Sequence, residues 1–294
     1  MTSESVRRRL RIAERTVMEL QSAHPGVTVG LEGALACGLA HATSDIDIRL
    51  VGDEQLLPKP GSWLTSGVRI DLQVSTTQQI NELRGLLRCF KVRTDDLAHF
   101  RRIRKDLPKL TGLRTAKRLQ AGQWIPIADS SEATIYRAWA VADRAEMAAS
   151  LTEDLIGLIE DGLHASADLV LDRLMLTLTS AECAAAGLPL LGEKWLPLIA
   201  TRAWATERPA APRHDTAWEW FRPVQQRLTR ALLSCHPVTD SDDHGTPYLA
   251  HADGLGWLPQ RYSDGWFLQR ADDRVPLTDS ALLAWAKHLE STAA

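Results

Sequence analysis

The sequence has few of the features that mark metal fingers, disulfide scaffolds or membrane proteins. Its four cysteines, Cys37, Cys89, Cys183 and Cys235, are scattered, and no two of them form a C-x-x-C pair. This spacing argues against structural zinc and is typical of reduced thiols in a cytosolic protein. No run of 18 apolar residues occurs, and the first residues lack the apolar stretch of a signal peptide. We therefore expect a cytoplasmic protein with no membrane partner.

A strong net charge is also lacking. The 34 Lys and Arg residues against 37 Asp and Glu residues give a formal charge of −3 at neutral pH. This balance provides no global attraction to nucleic acid, so we do not expect a nucleic-acid partner. The charge is nevertheless uneven, because residues 84–118 contain 12 Lys or Arg and three Asp.

Tyrosine and phenylalanine are scarce, with three and four residues, whereas ten tryptophans are present. Trp204, Trp218 and Trp220 could wall a pocket for a sugar-like or cationic ligand, because indole faces pack well against both. The alternative is that these tryptophans fill the hydrophobic core.

The first third of the sequence has the pattern of a compact α/β unit. Apolar residues at helical spacing predict an amphipathic first helix, which ends at His24-Pro25-Gly26. Thr76 or Thr77 can cap a later helix, and Pro58-Lys59-Pro60-Gly61 is typical of a loop. The other predicted elements are strands near 27–32, 45–51 and 67–74, a helical turn at 33–40 and a helix from 77 to about 90.

From Thr94 onward the pattern becomes almost entirely helical, with a break expected at Pro108 because proline disrupts a helix interior. Near the end of the sequence, two apolar runs that flank Ser263-Asp264-Gly265 predict a short β-hairpin. Thr278 or Asp279 is expected to cap a closing helix. The remaining helices are predicted near 111–121, 131–150, 152–186 and 216–235.

Acidic residues at alternate positions of an apolar run form the most informative motif. Asp45 and Asp47 occur in Ser44-Asp45-Ile46-Asp47-Ile48, and Asp71 lies on a later apolar run. Side chains two positions apart leave the same face of a strand, so the first two carboxylates would project together. An aspartate on a neighbouring strand could complete a site wide enough for two Mg²⁺ ions about 3.5–4 Å apart. Carboxylate oxygens together with substrate phosphates are ligands that Mg²⁺ favours.

A glycine upstream of this motif offers backbone groups for an anion. Gly33 lies 12 residues before Asp45, where a predicted strand gives way to a helical turn. Backbone N–H groups at such a turn face an anion, and a phosphate would complement metal-bound carboxylates.

These elements resemble the nucleotidyltransferase superfamily, the proteins with a DNA polymerase beta-like fold. Its pattern is a Gly-Ser pair, about a dozen residues, Asp-hydrophobic-Asp and a third acidic residue on a later strand. The resemblance covers about residues 25–75. The serine of the pair is Ala34 here, which removes a hydroxyl that contacts the nucleotide phosphates in the family.

The resemblance implies roles for individual residues. In small bacterial members, a Lys-Trp pair of the helical domain reaches the triphosphate, and Gly192-Glu193-Lys194-Trp195 is similar to it. An ordinary exposed lysine is the alternative. The residues that the resemblance assigns to catalysis and to two Mg²⁺ ions are Asp45, Asp47 and Asp71, and those that it assigns to the nucleotide are Gly33, Ala34, Ser44 and Lys194.

Pattern and resemblance together predict an α+β fold. Residues 1–122 would form a small mixed-sheet nucleotidyltransferase domain. Residues 123–294 would form a mostly helical, acceptor-binding domain with a short C-terminal β-hairpin.

The implied reaction moves a nucleoside monophosphate from a nucleoside triphosphate, with ATP the favoured donor, to a hydroxyl group and releases pyrophosphate. Length and the helical second part resemble the aminoglycoside adenylyltransferases, which favours a small acceptor such as an antibiotic, a sugar or a natural-product intermediate. Adenylylation of a protein or an RNA end is an alternative that the basic residues 84–118 would support. A catalytically weak nucleotide-binding regulatory protein is another, suggested by Ala34. The run Arg101-Arg102-Ile103-Arg104-Lys105 could line a triphosphate channel or form a solvated helix face.

Overall fold

The structure, a computed structural model, describes residues 4–88, 90–94, 96–188, 191–204, 220–238 and 256–291. Cys89 and Trp218 lie outside the described residues, and so do the side chains of Arg102 and Trp204. Within the part of the chain that is described, no helix combines the length and the hydropathy needed to cross a membrane.

The elements of the first half are α1 (Glu4–Ala23), β1 (Thr28–Leu31), α2 (Gly33–Ala36), β2 (Ile46–Gly52), β3 (Gly61–Thr65), β4 (Val68–Thr76), α3 (Thr77–Leu86), α4 (Leu97–Thr115), β5 (Lys117–Gln120) and β6 (Gln123–Pro126). Those of the second half are α5 (Ser130–Glu160), α6 (His164–Ala185), α7 (Leu196–Trp204), α8 (Phe221–Cys235), β7 (Leu258–Tyr262), β8 (Gly265–Arg270), β9 (Asp273–Leu277) and α9 (Asp279–Ser291). Single 3₁₀ turns occur at Glu54–Leu56 and Glu193–Trp195.

The contacts divide the chain into two compact units. Unit 1 comprises Met1–Cys89 and Lys105–Tyr136, and unit 2 comprises Phe90–Arg104 and Arg137–Ala294. The sequence-based limits of 1–122 and 123–294 stay a prediction.

Unit 1 is built on a six-stranded mixed sheet in the order β3-β4-β2-β1-β5-β6. The central pair β2 and β4 is parallel, and the other neighbouring strands pair antiparallel. Between β2 and β4 the chain forms β3, which pairs antiparallel with β4 on the side away from β2, so that β4 runs in the same direction as β2. The predicted mixed sheet is confirmed.

Apolar and charged side chains alternate along β2, and this alternation determines which face of the sheet carries the charged residues. Ile46, Ile48 and Leu50 are fully buried in a core that they share with β1, β4 and α1. Each such side chain contributes about 1.5–3 kcal/mol by burial. A register slip of one residue would place Asp47 and Arg49 in this core instead, so burial of the apolar residues fixes the acidic residues on the opposite face.

Unit 2 combines helices with a three-stranded antiparallel sheet in the order β7-β8-β9. The predicted hairpin is therefore present as β7 and β8, and β9 extends it. Trp139 and Trp220 are among the largest fully buried side chains. The ring of Trp220 lies edge-on to that of Phe221 with centroids 5.6 Å apart, which favours the core interpretation of this tryptophan.

The α+β fold class is confirmed, and several boundaries differ from the predicted ones. Pro108 lies inside α4 and does not end it. Leu107 and Leu110 beside it are buried, and their packing offsets the roughly 3 kcal/mol that an interior proline costs. The predicted helix at 111–121 ends at Thr115, because a tight turn at Ala121-Gly122, both with positive φ, folds the next residues into the hairpin β5–β6.

Candidate metal centre

Three aspartates of unit 1 meet at one end of the parallel strand pair. Asp47 on β2 and Asp71 on β4 are register partners, and Asp45 lies directly before β2. One carboxylate oxygen from each of the three lies within 4.8 Å of the other two. Among the described residues, this is the group of three acidic, histidine or cysteine side chains close enough to share a metal ion.

Burial and mutual repulsion act together on Asp47. Asp45 is exposed, whereas Asp47 and Asp71 are half-buried. Desolvation first, and then the negative charges of Asp45, Asp71 and Glu32, raise the pKa of Asp47 to about 6. At neutral pH the Asp47 carboxylate is thus mostly ionised, although burial and the neighbouring negative charges disfavour this form. A cation bound at this position would relieve the repulsion.

Asp71 is held in its charged form by two donors. Ser62 on the edge strand β3 donates its hydroxyl to Asp71 Oδ1, and Arg69 Nε donates to the same oxygen at 2.8 Å. Burial on its own would raise the pKa of Asp71, but these hydrogen bonds and the charge of Arg69 outweigh it and hold the pKa below the usual value. Arg69 leaves 62% of its side chain exposed.

Gly33 allows the chain to pass very close to Asp47. Its φ is +67°, and a Cβ placed on it would lie 2.1 Å from Asp47 Oδ2. The neighbouring Glu32 N–H donates to the Asp47 carbonyl at 2.9 Å, which ties the start of α2 to β2. Glycine is thus favoured here for its backbone conformation, and any side chain in its place would push the Asp47 carboxylate aside.

The first turn of α2 carries Ala34, which is half-buried. Its side chain has no hydroxyl for a phosphate. The Glu32 side chain at the N-cap makes no capping hydrogen bond to α2. The structure thus brings Gly33 next to the carboxylates and Ala34 directly after it, with backbone N–H groups that this side chain leaves uncapped.

Ser44, which the resemblance assigns to the nucleotide, is buried and has partners within the chain. Its Oγ accepts a hydrogen bond from the His41 N–H at 2.9 Å. Its carbonyl accepts one from Nε of the buried Arg9 on α1 at 2.6 Å. These bonds hold the loop that leads into Asp45, and a nucleotide contact of Ser44 stays a prediction.

Lys194 belongs to unit 2, whereas the three aspartates belong to unit 1. It lies in the 3₁₀ turn Glu193–Trp195 and is exposed, with its Nζ 5.3 Å from the centre of the Trp195 ring. Its assignment to the triphosphate stays a prediction.

The sequence analysis did not identify a buried ion pair between Arg49 and Glu32, in which Arg49 lies two residues after Asp47 on β2. Arg49 Nε lies 2.5 Å from Glu32 Oε1, and the guanidinium also donates to Ser75 at 2.7 Å and to Gln73 at 2.6 Å. The pair joins the chain after β1 to β2 and β4, behind Asp47. The two-residue spacing from Asp47 to Arg49, and from Asp71 to Gln73, is the signal that could have revealed a second polar row on the same face.

Ion pairs neutralise part of the basic stretch. In unit 1, Arg84 lies 3.0 Å from Glu132 and Lys109 lies 2.8 Å from Asp106. In unit 2, Arg104 lies 2.5 Å from Asp143. These cations are engaged by local carboxylates, which reduces the attraction that the stretch offers to an external polyanion.

No family model matches the sequence, and no curated protein matches it. Among solved structures, the chain is similar to a nucleotidyltransferase-like protein from Exiguobacterium sibiricum, with 11% identity, a TM-score of 0.32, and coverage of 77% of this chain and 73% of that one. A TM-score of this size does not establish a common fold. The chain is thus an α+β protein with a three-aspartate cluster that can hold a metal ion.

Proposed function

We propose that this protein is a Mg²⁺-dependent nucleotidyltransferase. It would transfer a nucleoside monophosphate, from ATP as the favoured donor, to a hydroxyl of a small molecule such as an antibiotic, a sugar or a natural-product intermediate, and release pyrophosphate. The observation that carries this proposal is the meeting of Asp45, Asp47 and Asp71 within 4.8 Å, beside a glycine that has no room for a side chain.

The donor set suits a hard divalent cation. All three side chains offer carboxylate oxygens, and the cluster is open to water on the side of Asp45. Mg²⁺ is usually held by a few carboxylates together with substrate phosphates, which leaves positions for a triphosphate. When bound, two such ions would neutralise the triphosphate and lower the pKa of the attacking hydroxyl.

The two half-buried aspartates would act as ligands and not as bases. Asp71, whose pKa Ser62 and Arg69 keep low, has little affinity for a proton. Asp47 has the higher pKa, but a bound cation would disfavour its protonation. In this proposal Asp45 and Asp47 hold the ion that accompanies the triphosphate, and all three hold the ion at the acceptor.

The start of α2 would receive the phosphate tail. Backbone N–H groups after Gly33 point toward the helix N-terminus, where an anion is favoured. Ala34 supplies no hydroxyl, and the loss of one charge-assisted hydrogen bond is expected to weaken binding by about 1.5–3 kcal/mol. The proposal assigns a compensating phosphate contact to Lys194, and it assigns acceptor binding to residues 123–294.

Pyrophosphate release tests the proposal directly. The assay would combine the full chain, Mg²⁺, each of the four triphosphates and a panel of hydroxylated acceptors that includes cationic sugars. Asp45→Asn should reduce acceptor-dependent release by at least about 100-fold, because metal-site and electrostatic groups contribute at this level. Asp53→Asn provides a matched control, since Asp53 is an exposed aspartate after β2 and outside the cluster. Equal rates for the two variants would contradict the proposal.

The lack of a hydroxyl at Ala34 favours one second candidate, a nucleotide-binding regulatory protein with weak catalysis. Calorimetry with Mg²⁺ and each triphosphate separates the two functions. Tight binding that Asp45→Asn abolishes, without pyrophosphate release from any acceptor, would identify the regulator. Transfer of label to a protein or to tRNA would instead identify a macromolecular acceptor, although the ion pairs of Arg84, Arg104 and Lys109 give that alternative less support.

A further inference from the structure

Arg69 is a cation placed directly beside the acidic cluster. It precedes Asp71 by two residues on β4, so both side chains leave the same face of the sheet. The hydrogen bond to Asp71 uses Nε at 2.8 Å, and the two Nη groups of the guanidinium lie outside this bond. This hydrogen bond first, and then the charges of Asp71, Asp45 and Asp47, raise the pKa of Arg69.

We infer that Arg69 is an internal counterion that competes with the metal ion for Asp71 and, once displaced, binds the phosphates that arrive with the metal. This inference rests on the proposed function, because it takes the three aspartates as the metal site. Arg69 is not itself a metal ligand in this proposal.

Exposure makes the exchange feasible. Arg69 has 62% of its side chain exposed, whereas Asp71 has 20% exposed. An exposed ion pair stabilises a protein by only about 0.2–1 kcal/mol, so a divalent cation can displace the guanidinium at small cost. The long side chain keeps its charged head in water after displacement.

Binding of a divalent cation would reduce the electrostatic attraction that the aspartate cluster exerts on Arg69. Without metal, three carboxylates attract Arg69. Divalent cations would cancel much of that attraction, and the phosphates bound to them would then be the nearest concentrated negative charge. A planar guanidinium suits phosphate oxygens because its fork can donate two parallel hydrogen bonds.

Ser62 differs from Arg69 in this respect. Its hydroxyl also donates to Asp71 Oδ1, but it is neutral and does not oppose a cation. A hydroxyl can keep orienting the carboxylate while a metal ion occupies the other lone pairs. Ser62 is therefore assigned to positioning Asp71, and Arg69 to exchange between Asp71 and phosphate.

Calorimetric titration of the full chain with Mn²⁺ alone measures the competition without any turnover. Arg69→Gln should bind Mn²⁺ about two- to fivefold more tightly than the wild type, because one competing charge is gone. Arg69→Lys retains the charge and should stay within about twofold of the wild type. Arg15→Gln on the exposed face of α1 removes a positive charge away from the cluster and should leave the affinity unchanged.

A second titration, with inorganic tripolyphosphate at saturating Mn²⁺, measures the phosphate contact. Arg69→Gln should weaken tripolyphosphate binding by about three- to tenfold, and Arg69→Lys by less, since lysine cannot form the bidentate contact. Circular dichroism of each variant checks that the exposed substitution leaves the fold intact.

The outcomes separate the inference from the proposed function. If Asp45→Asn loses Mn²⁺ binding while Arg69→Gln binds Mn²⁺ no more tightly than the wild type, the competition is overturned and the metal site remains. Unchanged tripolyphosphate binding in Arg69→Gln would overturn the phosphate contact. If Asp45→Asn binds Mn²⁺ as the wild type does, the metal site itself is wrong and the inference falls with it.

Discussion

Gly33→Ala is expected to displace the carboxylate of Asp47 while destabilising the fold only modestly. The new Cβ would lie 2.1 Å from Asp47 Oδ2 and 3.0 Å from its Cγ, far inside van der Waals contact. The colliding atoms belong to the end of the Asp47 side chain. A rotation of this side chain that moves the carboxylate by more than about 1 Å therefore relieves the clash. The backbone cost of φ = +67° for alanine is about 1–2 kcal/mol.

The functional cost should be much larger than the structural cost. A ligand oxygen displaced by about 1 Å can cost about 100-fold in rate, which corresponds to about 2.7 kcal/mol of transition-state stabilisation. Urea unfolding would measure the first effect, and Mn²⁺ titration together with pyrophosphate release would measure the second.

Gly38→Ala provides the control for backbone strain. Gly38 has the same φ of +67°, but a Cβ there meets nothing within 4 Å. Both variants should therefore lose similar stability, and only Gly33→Ala should lose Mn²⁺ affinity and turnover. Mn²⁺ affinities within twofold of each other would refute the steric argument.

Two further variants test the charges around the site. Asp47→Asn should lose at least about 100-fold in turnover. It should also stabilise the metal-free protein by about 1 kcal/mol at pH 7, because burial and like charges raise the pKa of Asp47 to about 6 and partial exposure limits the effect. Since that pKa is raised, ionisation of Asp47 lowers the stability of the wild type as pH rises from about 4 to 6, and urea midpoints across this range should fall less, or rise more, in Asp47→Asn. Arg49→Met should lower the free energy of unfolding by about 3–5 kcal/mol, because Glu32 would remain buried without its partner; Arg15→Met on an exposed helix face should change it by less than about 0.5 kcal/mol. An equal effect of the two arginine substitutions would disprove the structural importance of the buried pair.

The parts of the fold that a local pattern encodes were predictable. The alternation in β2 and β4 identified both strands and the face that carries Asp47 and Asp71, because burial of every second residue leaves a clear two-residue period. Thr76, one of the two predicted caps, likewise marks the start of α3, where the structure shows it in a capping box with Gln79.

Elements that depend on distant partners were not predictable in the same way. β3 is an edge strand whose residues are almost all exposed, so its sequence lacks the alternation that reveals a half-buried strand. Ser62 could therefore not be placed next to Asp71. The contact between Glu32 and Arg49 joins residues 17 positions apart across the sheet, and the spacing along β2 and β4 reveals the polar row without identifying Glu32 as the partner of Arg49.

Strand β2 packs its isoleucines into the core on one side and carries Asp47 on the other, so substitutions in the core can reach the metal site. Ile46 and Ile48 flank Asp47 and are fully enclosed, and interiors packed at crystal-like density transmit changes in side-chain volume to the backbone. A methyl group added or removed on the apolar side of this strand would shift the carboxylate on its other side. Screens of this protein would then record inactive variants that are still folded and carry every acidic residue intact.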